Sequence, residues 1–492
     1  MKKFIPLLLL LAAFPVLAAS GGSIYEKPAP VRIVSEIDRA LAKDWEQNGI
    51  AVPAEASDAV MVRRLHLGLA GRLPTPKEAR DYIASTAPDK REQLIDRLLA
   101  SDGFADYWAM HWSDALRVKS EFPINLWPNA VYGYHRRIRK FLADNEPYNH
   151  FARALLTAEG SNFRTPEANF YRATADRSAA GIAAVVVQTF LGGRFEALPE
   201  AERKLWTDRF APVRFKKTKE WKEEIVYWDI DPSGADSRGP VADAVLSHPE
   251  FSRTAVNRAW GWLFGRGLRP ENDGELPVNP PLLDALAAEF ERSGYDFRAL
   301  CRNIVNSAAY RAAPFGESPE ADLHFAAFPV QRLDAEVLDD AISDLSGIPS
   351  RYSSVIPEPF TYLPPEQRSV DIADGSITSS FLILFGRPAR DSGLLSERNN
   401  SVTASQRLQL FNSGELYRKL GRIAQREEMK KLPMPKRIEE LYWLFYSRPP
   451  TAGETRTLLD FFDRLPKGRE KWTFPQEICW ILVNSREFLY QH

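Results

Sequence analysis

Two cysteines, Cys301 and Cys479, are the only thiols in this 492-residue chain. Neither belongs to a Cys-x-x-Cys or Cys-x-x-Cys-His pattern. That excludes a four-thiolate zinc site and a covalently attached c-type haem. The pair could form one disulfide in an oxidising compartment. Each also sits in an apolar helical segment, which suits a buried free thiol equally well. Histidine is sparse too: seven residues, scattered, with no HExxH and no H-x-H spacing, so no metal site is expected. An excess of either charge is missing. The 64 Lys and Arg face 65 Asp and Glu, a formal net charge of -1. This gives no bulk attraction to nucleic acid or to an anionic membrane. Beyond the N-terminus no apolar run reaches the roughly 18 residues that a membrane span needs. No GxSxG, P-loop or GxGxxG motif opens a helix after a strand, so standard hydrolase and nucleotide-binding folds find no support.

The chain does open like an export signal. Lys2 and Lys3 make a positive start, and Phe4 to Leu17 is a short apolar run broken by Pro6 and Pro15. Small residues follow at Ala18 and Ala19, which predicts a cleaved signal peptide over 1–19. No cysteine follows to carry a lipid. The mature chain is therefore expected to be periplasmic or secreted. With 44% hydrophobic and 26% charged residues, its composition is that of a folded protein rather than a disordered one. Twelve tryptophans and 36 prolines suit rigid loops over aromatic cores, and they also suit sugar-stacking surfaces.

Apolar residues recur at three-to-four spacing through most of the chain, which predicts a mainly α fold. Clear cases are Val60–Leu69, Arg91–Leu99, Phe104–Leu116, Tyr132–Ala143, Ser252–Phe264, Phe297–Asn306 and Ala335–Leu345. Arg214–Lys219 and Glu224–Ile230 read instead as short extended segments, closing in the turn Asp231–Gly234. The expected organisation is an N-terminal helical domain over 24–195, a junction with short strands over 196–240, and a C-terminal helical domain over 241–492. Within the last, 347–400 is rich in Pro, Ser and Gly and too long for an ordinary connection, which suggests a surface or a site.

The chain also repeats itself. Arg64–Glu78 parallels Glu440–Glu454: a helix ends at an Arg, a Pro follows, and Thr-x-x-Glu starts the next helix. Thr75 with Glu78 and Thr451 with Glu454 read as capping boxes. A second unit, a helix end followed by Ser and then an aromatic, recurs at Ser101, Ser247, Ser307 and Ser485. It reads as a helix-Ser-helix packing module.

These segments resemble a pair of bacterial exported domains, the planctomycete cytochrome-associated domain of unknown function 1549 and its companion, domain of unknown function 1553. The first resemblance covers about Ile37 to Arg194. It rests on Arg63–Pro76 (RRLHLGLAGRLPTP), His111–Arg117 (HWSDALR), Asp144–Phe151 (DNEPYNHF), Ala168–Arg172 (ANFYR) and Thr189–Gly192 (TFLG). The second runs from about Pro240 to the C-terminus. Its residues are His248–Phe251 (HPEF), Val256–Trp260 (VNRAW), Phe264–Leu268 (FGRGL), Asn279–Asp284 (NPPLLD), Arg332–Ala341 (RLDAEVLDDA) and Phe385–Arg390 (FGRPAR). The family implies no established chemistry. Similar members follow TFLG with Cys-x-x-Cys-His and FGRPAR with Cys-x-Cys. Here Leu191–Glu200 and Asp391–Arg398 stand in those places, without Cys or His. The resemblance implies that relatives hold one metal or haem-like centre between the two stretches and that this chain has lost it.

Three polar groups are candidates for chemistry. In His111–Arg117, helical spacing puts His111 on the face of Asp114 and lets Asp114 pair with Arg117, either as an acid/base cluster or as a structural ion pair. Asn257, Arg258, Asp273, Arg332, Asp334 and Glu336 form a second set. Asp334 and Glu336 open a helix, where acids are favourable, and could bridge to Arg258. Asp114, Asp273, Asp334 and Glu336 are the candidate catalytic acids, because glycoside chemistry needs two carboxyls roughly 5 to 9 Å apart. The third group is the stretch Glu121–Lys140. Trp127 and His135 stand there among Arg136, Arg137, Arg139 and Lys140, a combination that could grip an acidic polymer or be a solvated basic face. His111, Arg117, Trp127, His135, Asn257, Arg258 and Arg332 are the candidate binding residues. The expected function is a cofactor-free exported protein that binds a glycan or an exported partner in extracellular polymer utilisation. A carboxylate-dependent polysaccharide enzyme is the alternative, and a periplasmic redox-associated protein the second.

Overall fold

The helices form where the apolar periodicity places them, and their first turns are closed by side chains. In the computed structural model, which describes residues 23–230, 236–270, 278–316 and 318–492, the protein is mainly helical with three small sheets. The segments 1–22, Asp231–Gly234 and Asp273 lie outside the described residues, and with them the expected signal peptide, the expected junction turn and one candidate acid. The helices that build the site are α1 (Glu36–Gln47), α2 (Asp58–Ala70), α3 (Pro76–Ala84), α4 (Asp102–Ala115), α5 (Pro128–Ala143), α6 (Glu250–Phe264), α7 (Pro280–Arg292), α8 (Ala335–Ser346), α9 (Gly414–Ala424), α10 (Met434–Tyr446) and α11 (Ala452–Arg464). None of the helices among the described residues is long and apolar enough to cross a membrane.

Both repeats have a physical basis. Thr75 and Thr451 accept from the amides of Glu78 and Glu454, whose carboxylates accept from the threonine amides in return. Arg72 then forks onto Glu78, and Arg448 onto Glu454. The pairs α2–α3 and α10–α11 are thus built alike. An ion pair from Arg80 to Glu440 at 2.6 Å joins them. In the second repeat, Ser101, Ser307 and Ser485 each accept from an aromatic amide three residues on and donate back to a carbonyl three residues before. Ser247 departs from this. Its hydroxyl donates to the Asp243 carbonyl, and the extra residue leaves Pro249 at the start of α6.

One hydrophobic core runs from Val31 to Phe488 through both halves of the chain. Helix α2 is its axis, buried over most of its length. Two buried arginines on α2 reach the far end of the sequence. Arg63 donates to the Phe445 and Phe488 carbonyls at 2.9 Å each, and Arg64 donates to the His492 carbonyl at 3.0 Å. Strands Gln331–Arg332 and Tyr490–Gln491 pair beside them. The junction holds an antiparallel sheet in which Glu224–Trp228 lies between Val213–Lys217 and Gly160–Ser161. It also holds a helix, Glu200–Phe210, that was not expected; only Trp206 and Phe210 on it are buried, too few to show a period. Cys301 and Cys479 are both buried and unpaired, which settles the disulfide alternative in favour of free thiols.

Candidate functional site

Three of the four candidate acids converge. Helix α4 presents Tyr107, His111 and Asp114 on one face, at helical spacing. Asp334 stands at the residue before α8, its carboxylate making no capping bond, and Glu336 lies in the first turn. The loop-rich segment supplies Arg387, Arg390 and Arg398 opposite them. Arg398 is the hub: its guanidinium is 2.7 Å from Asp114, 2.7 Å from Glu336 and 3.4 Å from Asp334. Arg390 holds the second Asp114 oxygen at 2.7 Å, and Arg387 lies 3.2 Å from Glu336. The His111 Nε2 lies 3.6 Å from Asp334, and the Tyr107 hydroxyl donates to the same carboxylate at 3.4 Å.

Burial alone would raise the Glu336 carboxyl, but Arg398 and then Arg387 overcome this and hold it below the usual glutamate range. Burial lowers the Arg387 guanidinium to about 10, with Arg390 beside it adding to the fall. Arg398, facing three carboxylates, is raised well above its ordinary value although burial opposes this. His111 is lowered by burial against the attraction of Asp334, and its ring stacks on Trp262 at 5.2 Å. Three guanidiniums thus face three carboxylates around the His111 imidazole. Two small adjoining cavities open on it. One of about 50 Å³ is lined by Tyr107, His111, Trp262, Asp334 and Arg398, and one of about 10 Å³ by His111, Asp114, Trp262 and Arg398. They have room for a water or two.

Asp114 and Glu336 bond the same guanidinium, so their carboxylates lie within about 8 Å, inside the spacing that glycoside chemistry uses. The guanidinium stands between them, however, where a glycosidic oxygen would have to sit. The expected pairing of Asp114 with Arg117 does not form. Arg117 leaves α4 in a left-handed conformation (φ 57°), and its buried guanidinium has no hydrogen-bond partner among the described residues. Burial lowers it to about 10. Nor does Arg258 bridge to Asp334 or Glu336: it donates to the Thr189 carbonyl at 2.8 Å. Arg332 donates to the Phe385 and Asn399 carbonyls at 2.5 and 2.9 Å. Asn257 exchanges bonds with the Arg269 backbone and so pins the turn after α6. The sequence reading missed Tyr107, Trp262 and the three arginines, although Arg387 and Arg390 stand in the FGRPAR stretch and could have been paired with the orphan acids.

The Glu121–Lys140 stretch splits into two parts. On α5, Arg137 pairs with Glu146 and Glu167, Arg139 with Asp102 and Asp106, and Lys140 with Asp144, while Arg136 alone has no ion pair among the described residues. His135 accepts or donates at Ser113, and burial pushes it down to about 3. Before α5 lies an exposed aromatic set. The Trp127 ring meets Phe360 at 5.3 Å, and the Tyr132 hydroxyl donates to the Tyr362 carbonyl at 3.3 Å. Phe122 is 80% exposed, Phe360 53% and Tyr362 62%. Two segments far apart in sequence thus place rings on one surface.

The stretches Leu191–Glu200 and Asp391–Arg398, where the resemblance implies thiolate motifs, do share a cleft. Its volume is about 590 Å³, with Gly193–Glu196 on one wall, Leu394–Ser396 on another and Arg194, Arg266, Arg269 and Arg398 around it. Gln188 donates to the Ser392 carbonyl at 2.7 Å and ties the walls together. Guanidiniums cannot ligate a cation, and no group of three or more His, Cys, Asp or Glu among the described residues could hold a metal ion. The residues of this cleft do not fit a metal or haem iron.

A family model described as PSCyt2, protein of unknown function (DUF1549), matches residues 36–196, and one described as PSD1, protein of unknown function (DUF1553), matches 241–462. Together they span most of the chain, which belongs to the family carrying these two domains in tandem. No curated protein and no solved structure matches it.

Proposed function

We propose that the chain is an exported carbohydrate-binding protein whose binding surface is the aromatic platform of Phe122, Trp127, Phe360 and Tyr362. The observation that carries the reading is the exposure of Phe122, Phe360 and Tyr362, with the half-buried Trp127 ring packed on Phe360. Large aromatic rings grouped on a surface leave apolar area uncovered, and such patches mark interaction sites. A pyranose ring offers a flat C–H face for stacking on such rings and hydroxyls for polar neighbours. Of the basic residues of α5, Arg137, Arg139 and Lys140 are already paired with acids and only Arg136 has no ion pair among the described residues, so a neutral glycan suits the surface better than a sulfated one. The converging acids lend less support to a carboxylate-dependent hydrolase, because each is held by an arginine and the two cavities that His111 lines beside them take only water. Export rests on the first twenty residues of the sequence.

The test is binding of the mature protein to neutral and acidic polysaccharides, by affinity electrophoresis and calorimetry. A stacked ring contributes about 0.5–1.5 kcal/mol, so Trp127→Ala should weaken binding up to about tenfold without changing thermal stability much. Binding to no glycan, or binding unchanged in both Trp127→Ala and Phe360→Ala, would overturn the reading.

A further inference from the structure

The largest cavity described lies away from the charged cluster, between α8, α9 and the loop that leaves α8. Its volume is about 660 Å³, within the range of small-molecule sites. Ile342, Ile348, Phe381 and Leu416 give it an apolar wall, and Asp339, Ser350 and Lys419 line it together. Lys419 is 3% exposed, and among the described residues it makes no ion pair. Its ammonium instead donates to the Ser350 hydroxyl at 2.8 Å and the Ser343 hydroxyl at 3.1 Å. The Ser350 hydroxyl donates to Asp339 at 2.7 Å. Asp339 is held in turn by Tyr352 and Ser369, each donating to its other oxygen at 2.8 Å.

We infer that Ser350 is the nucleophile and Lys419 the general base of an ester-hydrolysing site in this cavity, with Asp339 as the positioning residue. A serine within hydrogen-bond reach of a base is the arrangement that nucleophilic catalysis requires, and lysine serves as that base in known variants; here Asp339 orients the Ser350 hydroxyl, which turns from Asp339 to Lys419 Nζ once that amine is free to accept. Burial lowers the Lys419 ammonium, although Asp339 and Asp340 on α8 and Glu415 on its own helix oppose this; Arg418 adds to the fall. Ser350 Oγ adds to the ester carbonyl carbon as its proton passes to Lys419 Nζ. The bond from that carbon to the alcohol oxygen breaks, and Lys419 returns the proton to the departing alkoxide. Water, giving its proton to Lys419, then cleaves the acyl–Ser350 bond. A carboxylic acid leaves and the Ser350 hydroxyl is restored. Arg351 and Arg418 stand at the edge of the cavity, both exposed and neither ion-paired among the described residues. They point to an ester that carries an anionic group, its acyl part lying on the apolar wall. The inference uses none of the platform residues and does not rest on the glycan reading.

The experiment treats the mature chain with a fluorophosphonate reagent and locates the adduct by peptide mass spectrometry, with p-nitrophenyl acetate hydrolysis followed in parallel. The expected result is one adduct, on Ser350, absent in Ser350→Ala. Labelling and hydrolysis should rise with pH through a group ionising below the ordinary lysine range. In Lys419→Met both should fall at least ~100-fold and lose that pH dependence. If Lys419→Met fails to fold, Ser350→Ala and the mapped adduct decide the matter. No adduct on the wild-type chain, an adduct on Ser343 or another residue, or labelling that survives in Ser350→Ala overturns the inference.

Discussion

Arg398 shows what a single residue holds in place here. It touches Asp114 from one half of the chain and Asp334 and Glu336 from the other, and it is 7% exposed at its side chain. Removing one partner from a buried ion network leaves charges with no compensation, a loss of about 3–5 kcal/mol. Arg398→Met should therefore lower the urea midpoint by that much free energy, while an exposed control such as Arg136→Met changes little. Acid tests the same cluster from the other side. Glu336 is held below its ordinary value of 4.5 in the folded chain. The unfolded chain therefore takes up its proton first as pH falls, so the stability Glu336 contributes is complete above about 4.5 and lost below it. Glu336→Gln should be less stable at pH 7 and should show a shallower loss of stability below about 4.5, both read from urea titrations across pH. At this scale the sequence exposes half of each interaction. Helical spacing puts His111 and Asp114 on one face, and helix-opening chemistry marks Asp334 and Glu336. Their partners come from a loop more than fifty residues further on, and no local periodicity links a loop arginine to an acid on a helix.

The helical elements are the most legible part of the molecule, because caps and apolar periods are local. Thr75 with Glu78 and Thr451 with Glu454 form the capping boxes that their spacing implies. Losing such a cap costs about 1 kcal/mol. Thr75→Ala and Thr451→Ala should each destabilise by about that amount in urea or thermal unfolding. Ser101, Ser307 and Ser485 should behave similarly, whereas Ser247→Ala should cost clearly less, since its hydroxyl only bonds back to Asp243 and caps no amide. The helix Glu200–Phe210 stayed hidden for the converse reason: two buried side chains do not make a pattern.

For the molecule as a whole, the two halves are fastened to each other at many points. Arg63 and Arg64 on α2 satisfy the Phe445, Phe488 and His492 carbonyls, and one core passes through both family-matched regions. Unfolding should be a single calorimetric transition whose van't Hoff and calorimetric enthalpies agree. Deleting residues 485–492 would take one carbonyl acceptor from each of the two buried arginines, Phe488 from Arg63 and His492 from Arg64, and the shortened chain should unfold well below the full-length protein in the same calorimetric scan.

By itself the sequence determined the helical class, the caps, the internal repeat and the family, because each depends on residues within a turn or two of one another or on ordered motifs. With two cysteines it also lacks the ligands for a four-thiolate centre. Only the tertiary structure decided which acids meet and that arginines neutralise them, and only it brought the rings of 122–132 and 360–362 onto one surface. The same holds for Lys419 reaching Ser350 across a cavity. Those outcomes depend on where distant segments cross, and that is fixed by burial of a shared core rather than by local sequence.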